Sequence, residues 1–184
     1  RSDRGVGAGA AGRMYERMMD NARRLAAGGL FVSAESMINY RTHDRISDIH
    51  ALIAEMGCAR HEVHPMYPSS FAAGLPRLTR GQMADAIGRL LDGRDRRLWM
   101  LFGTLPFFAC SPDPQERALV GRLAAEPNVT VRGDPDGRNR VNVNLFSGDV
   151  YVTDFAAIPS FGNVRHEKLD DIFDKWQQHP LQRS

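Results

Sequence analysis

The sequence predicts an α/β fold, a parallel layer of βα units followed by a small antiparallel β region, and three observations carry that prediction. Helical patterns alternate with short strand-like runs at a spacing of roughly 35 residues, three times in succession before Pro127. The run 98–108 is apolar apart from Gly103 and Thr104, as a parallel strand covered on both faces requires. After Pro127 the pattern changes to short β segments joined by Asp-Gly and Ser-Gly-Asp turns, which suits a small antiparallel meander.

The glycine-rich stretch 1–12 reads as a loop entering a helix over 13–27, where Met14, Met18, Ala22 and Leu25 recur at helical spacing before Gly28-Gly29 stops it. A strand is expected over 30–40, with Leu30, Val32, Ala34 and Ile38 on one face and Phe31, Ser33, Glu35, Met37 and Asn39 on the other. The next helix, about 45–56, rests on Ile46, Ile49, Leu52, Ile53 and Met56, with Asp44 as its expected cap and Gly57 as its end. A strand over 58–64 stops at Pro65 and Pro68. Thr79 and Gln82 have capping-box spacing ahead of a helix that buries Met83, Ile87, Leu90 and Leu91. A fourth helix starts near Pro114, carries Leu119, Val120 and Leu123, and ends before Pro127. The meander is expected from 129–131, 140–146 and 150–153. A last helix, about 167–178, buries Leu169, Ile172, Phe173 and Trp176.

A chain of 184 residues with 42% hydrophobic composition can bury a core, and its length suits one domain with an appendage. Twenty-four Lys and Arg against 22 Asp and Glu give a net charge of +2, too small a field to argue for a nucleic-acid partner. There is no apolar run of about 18 residues and no signal-peptide pattern, so a cytoplasmic protein without a membrane partner is expected. Cys58 and Cys110 are too few and too isolated for a disulfide framework or a Cys-x-x-Cys metal site. Each is expected to be a buried small hydrophobe, and no residue is assigned to a metal.

The most informative stretch is Cys58-Ala-Arg-His-Glu-Val-His64. On a strand Arg60, Glu62 and His64 share one face while His61 and Val63 share the other. Two histidines three apart on a strand cannot both reach one ligand. The HEVH sequence is therefore no helical zinc motif, and His61 is expected to pack against a helix. Arg60 and Glu62 suit either a ligand or an internal ion pair. The same choice holds for Glu35, which shares its face with Ser33 and Asn39 and, if buried, needs a cationic or hydrogen-bonding partner. Further on, Arg138, Arg140, Asn142 and Asn144 suit a binding surface or the wet face of a hairpin equally. No catalytic role is assigned to any single residue.

The order of elements resembles the second half of a radical S-adenosylmethionine (SAM) enzyme. Asp3-Arg-Gly, the helix ending Leu25-Ala-Ala-Gly-Gly, Leu30-Phe-Val-Ser-Ala-Glu and the helix ending Ala54-Glu-Met-Gly57 resemble that superfamily's third-helix, fourth-strand and fourth-helix stretch. Gly148-Asp-Val-Tyr-Val, Phe161-Gly-Asn-Val and Leu169-Asp-Asp-Ile-Phe resemble the hairpin-plus-helix extension called twitch or SPASM. More narrowly, Arg60-His-Glu-Val-His-Pro-Met-Tyr-Pro68, Trp99-Met-Leu-Phe-Gly-Thr-Leu-Pro106 and Asp134-Pro-Asp-Gly-Arg-Asn-Arg140 look like the YfkB-like domain of the YfkAB group.

That resemblance implies the C-terminal half of a partial (βα)6 TIM-like barrel over 1–127, with a β-hairpin and helix extension over 128–184. It implies a complete protein that binds SAM at a reducible [4Fe–4S] cluster and makes a 5′-deoxyadenosyl radical. The superfamily's three-cysteine motif is absent from this sequence, as are the extension's cluster cysteines, so the cluster would be held by an N-terminal radical SAM half on the same or a separate chain. Ser33, Glu35, Asn39, Arg60, Glu62 and His64 would then face SAM or a small-molecule or peptide substrate. The alternative is a non-catalytic partner domain that docks on a separate radical SAM subunit.

Overall fold

The computed structural model describes residues 8–67, 74–133, 140–152 and 159–179. Two compact units emerge, the first comprising Arg1–Met66 and Pro76–Gly133, the second Tyr67–Leu75 and Asp134–Ser184.

The first unit contains α1 (Ala8–Ala27), β1 (Ser33–Ile38), α2 (Ile46–Glu55), β2 (Arg60–Pro65), α3 (Arg80–Gly93), β3 (Trp99–Gly103), α4 (Pro114–Ala125) and β4 (Val129–Arg132). Its four strands are all parallel and lie in chain order, β1-β2-β3-β4. Right-handed crossovers between successive neighbours put every helix on one side of such a sheet. The core agrees: Ile38, Val63, Met100 and Phe102 from three strands are buried in one cluster with Ile46 of α2, Ile87, Leu90 and Leu91 of α3, and Leu119 and Leu123 of α4. The register fixes the opposite face as Ser33, Glu35 and Met37, then Arg60, Glu62 and His64, then Trp99, Leu101 and Gly103, then Thr130 and Arg132.

Local signals place several element ends. Thr79 and Gln82 form the expected capping box of α3. Asp113 caps α4, with Pro114 at its first position. Arg80 forks onto Glu116, which also accepts from the Ser111 hydroxyl at 2.6 Å, tying the first turns of α3 and α4 together.

Several expectations need correction. Helix α1 begins at Ala8, inside the stretch 1–12 expected as a loop. The cap of α2 is Arg45 rather than Asp44, and its side chain makes no capping bond. Helix α1 buries Met19 against Ile53, Met56, Cys58 and Leu98, whereas Met14, Met18 and Leu25 are about half exposed or more. One helix has two candidate apolar faces here, and only the Met19 face finds a partner among the described residues. The segment 129–131 is not part of an antiparallel meander. It pairs parallel to β3, with Met100 N–H donating to Asn128 O at 2.8 Å as the chain enters β4. Cys58 is buried as expected, but Cys110 is exposed.

The second unit holds an antiparallel sheet of β5 (Asn142–Val143), β6 (Asp149–Tyr151) and β7 (Gly162–Asn163), followed by α5 (Leu169–Gln177). Gly148 turns the β5–β6 hairpin with φ +81°, a conformation that favours glycine. A Cβ at Gly162 would come within 2.7 Å of Ile172, so the helix lies directly on β7. Ile172 and Trp176 are buried and Phe173 half-buried, but Leu169 at the helix start is 45% exposed. Among the described residues no helix is long and apolar enough to cross a membrane.

Candidate functional site

The helix-free face of the parallel sheet divides into two layers. Near the strands' N-terminal ends, the Arg60 guanidinium stands over the rings of Phe31 at 5.7 Å and Trp99 at 5.2 Å, and those two rings meet edge to face. Its Nε donates to Ser33 Oγ at 2.9 Å and its Nη2 lies 3.2 Å from Glu62 Oε2. Trp99 Nε1 donates to Thr130 Oγ1 at 3.1 Å, carrying the layer across to β4. A planar guanidinium suits this geometry because it stacks on aromatic faces while its edge makes hydrogen bonds. Buried Leu101 occupies the centre of the same face.

Toward the C-terminal ends the layer is polar. The Glu62 carboxylate is held by Arg60 on one oxygen and meets His64 Nε2 with the other at 3.1 Å. Glu35 on β1 approaches the same His64 nitrogen at 3.8 Å, and its side chain is 69% exposed. The His64 ring lies over Gly103, where an added Cβ would stand 2.3 Å from Cε1. C-terminal strand ends are where parallel α/β folds place ligands, because the loops there are free to vary above a rigid sheet.

Of the candidates read from the sequence, Ser33, Glu35, Arg60, Glu62 and His64 share this face. Arg60 and Glu62 form the internal ion pair, one of the two readings open from sequence. Asn39 lies past the end of β1, where its Oδ1 accepts from Arg41 N–H at 2.8 Å and shapes a turn. In the second unit, Asn144 Oδ1 accepts from Phe146 and Ser147 N–H at 2.9 and 3.2 Å, again a turn-holding role. Arg140 lines a cavity of about 230 Å³ with Val141, Leu169, Asp170 and Phe173. Arg138 lies outside the described residues. The sequence put Phe31 on this face without a role, and the parts played by Trp99, Gly103 and Thr130 were not legible in it. Strand alternation was available for each of them, but their pairing across strands was not.

The helix side carries a second polar chain. Asp95 N–H donates to His50 Nε2 at 3.0 Å, His50 Nδ1 meets His61 Nδ1 at 3.0 Å, and His61 Nε2 meets Ser36 Oγ at 2.6 Å. An amide can only donate, so neutral His50 keeps its proton on Nδ1, where the N–H donates a hydrogen bond to His61 Nδ1; His61, accepting there, carries its own proton on Nε2, which donates to Ser36 Oγ. Burial pushes His61 down to about 3, with His50 beside it adding to the effect. Burial also lowers His50, opposed by Asp95 and helped by Arg94. Both rings are therefore neutral, and His61 does pack against a helix as expected.

The chain's donor set does not suit an iron–sulfur cluster. Cys58 is buried, and burial pushes its thiol up, away from the thiolate a cluster requires. Among the described residues no group of three His, Cys, Asp or Glu is placed to hold a metal. The polar layer does suit an organic ligand with hydroxyl or amino groups, since it presents carboxylate and imidazole atoms on an open face.

Comparison with known proteins agrees with this architecture. The chain is 53% identical to YfkA of Bacillus subtilis (strain 168) over 170 residues, which is 92% of the chain and 46% of that protein. It therefore spans about half the length of this relative. Two crystal structures of Streptococcus suis SuiB, one bound to S-adenosylmethionine, share the fold with TM-scores of 0.56 and 0.54 at 12% and 11% identity, covering 91% of this chain and 38–39% of SuiB. Residues 66–184 match the YfkB-like domain, and the chain belongs to that family.

Proposed function

We propose that this chain is the C-terminal portion of a radical SAM enzyme, supplying the SAM- and substrate-facing wall of a partial (βα)6 barrel, with the second unit as a twitch/SPASM-like extension. The observation that carries this reading is the parallel sheet in strict chain order, with all its helices on one side and a polar layer on the other. A sheet wound in one direction curls toward a barrel, and its helix-free face becomes the barrel interior. The fold shared with a SAM-bound protein supports SAM as the ligand. In the complete protein SAM and a reducible cluster supply radical chemistry. The residues of this chain bind and orient, with Glu35, Glu62 and His64 offered to ribose, methionyl or substrate groups, and Arg60 and Ser33 holding Glu62 in place.

Strand β1 has a neighbour on one side only among the described residues. An unpaired edge needs cover, and the N-terminal half of the barrel, on the same or a separate chain, is the cover proposed. The test is Glu62→Gln in the complete protein, which removes charge and keeps shape. SAM cleavage should fall with little change in melting temperature. Unchanged cleavage with an unchanged melting temperature overturns the role of this layer.

A further inference from the structure

Helix α1 carries more apolar surface than this chain covers. At about 100° per residue its larger apolar side chains form one arc, running from Met19 and Ala22 through Met18 and Leu25 to Met14. Met19 and Ala22 belong to the cluster that holds Ile53, Met56 and Leu98. Beyond them the arc is uncovered: Met14, Met18 and Leu25 are 65%, 57% and 48% exposed, and Leu30, just past the helix, is 60% exposed. The uncovered part points away from α2. Arg23, which lies on the opposite side of Met19 from Ala22, is the residue that reaches Glu55 of α2, at 3.9 Å. Helices α2, α3 and α4 each cross from one strand to its neighbour and lie across both. Helix α1 leads into β1 in the same way, so its uncovered arc is the part that a strand and helix beyond the open edge of β1 would meet.

We infer that the Met14–Met18–Leu25 face of α1 is where the N-terminal radical SAM half docks, through an amphipathic helix with an apolar stripe and acidic residues beside it. Charge supports the acidic flank. Arg13, Arg17 and Arg24 are exposed next to the uncovered arc, and among the described residues none of them has a carboxylate partner, whereas Arg23 pairs with Asp20 and Glu55. A lipid surface would also suit a basic amphipathic helix, but it offers nothing to the unpaired ladder groups of β1 alongside. A neighbouring βα unit covers both at once. The inference deepens the proposed function by naming the surface that holds the N-terminal half and the chemistry of the face it meets, and it rests on that reading.

Photo-methionine cross-linking tests the docking without a disruptive substitution. The complete protein is made with photo-methionine and irradiated anaerobically, and its zero-length cross-links are mapped by mass spectrometry. Met19 should link to α2, which it touches within this chain, and so serves as the internal standard. Met14 and Met18 should link to the N-terminal half at a comparable yield, in a peptide that carries an apolar stripe with Asp or Glu beside it. Quenching by water at Met14 and Met18 while Met19 still links overturns the docking. So do links between isotopically distinct copies of this chain, which give the face to a second copy, and links to lipid alone when phosphatidylglycerol vesicles are present, which give it to a membrane. None of these outcomes depends on SAM cleavage in Glu62→Gln, so the docking and the SAM-facing reading fail separately.

Discussion

The imidazole of His64 rests on the backbone of Gly103, so closely that a Cβ there would stand 2.4 Å from Nδ1. No real Cβ tolerates that distance, and the atom in the way is a ring held by Glu62 rather than the loose end of a flexible chain. The glycine on β3 thus sets where the histidine of β2 can lie. That couples the polar layer to the strand that also carries Trp99.

Gly103→Ala should therefore lift the His64 ring and break its 3.1 Å contact with Glu62. Overpacking at a buried position costs about 1–3 kcal/mol, so the protein should still fold. Denaturant unfolding would measure that cost, and the SAM cleavage proposed for the complete protein should drop more than the modest loss of stability explains. Wild-type cleavage in a folded Gly103→Ala protein would mean that the position of His64 is immaterial.

The His50–His61–Ser36 chain makes stability depend on pH. In the unfolded chain both imidazoles bind protons below about 6.5, while in the native state His61 resists protonation down to about 3. Their depressed native values mean that stability is full above pH 6.5 and declines as pH falls. His61 contributes about 1.4 kcal/mol per pH unit, or about 2 kcal/mol between pH 6.5 and 5. Asp95, held down to about 2 by Arg97, stays charged through that window and does not mask the slope. Urea unfolding at pH 7 and pH 5 measures the loss. Nitrogen-15 shifts of the rings should show His50 protonated on Nδ1 and His61 on Nε2. A stability that is flat from pH 7 to 5 would contradict the buried neutral pair.

What the sequence made legible follows from how local each signal is. Alternation over Arg60, Glu62 and His64 needs only a strand of known period, and the capping box of Thr79 and Gln82 lies within four residues. Both were readable and both are present. The fourth parallel strand was not readable, because Val129-Thr-Val131 is equally suited to a hairpin. Its partner is chosen by long-range contacts such as Trp99 to Thr130. The same limit hid Gly103, whose meaning lies in the His64 ring that rests on it from the neighbouring strand. In α1 the expected stripe of Met14, Met18 and Leu25 gives way to Met19, which Ile53 and Met56 meet. Leu169 belongs to the expected stripe of α5 but sits at its first turn, where the sheet beneath it is only three short strands wide.

The second unit offers a further test, because its sheet is too small to be stable without its helix. Strands of two or three residues contribute few ladder bonds, so the hairpin depends on what covers it. Trp176 is 6% exposed and meets Phe161, the residue just before β7, edge to face at 5.2 Å, while Ile172 of the same helix packs against Gly162. Phe161 N–H in turn donates to Val150 O at 2.9 Å, which links the aromatic contact to β6. Trp176→Ala should cost roughly 3–5 kcal/mol, a large part of a domain's net stability. Because the loss is transmitted through Phe161, amide exchange should quicken at Val150 and Val143, which pair with each other across β5 and β6. If those two amides keep wild-type protection while the helix frays, the sheet stands without α5, and the unit loses its resemblance to a hairpin-plus-helix extension.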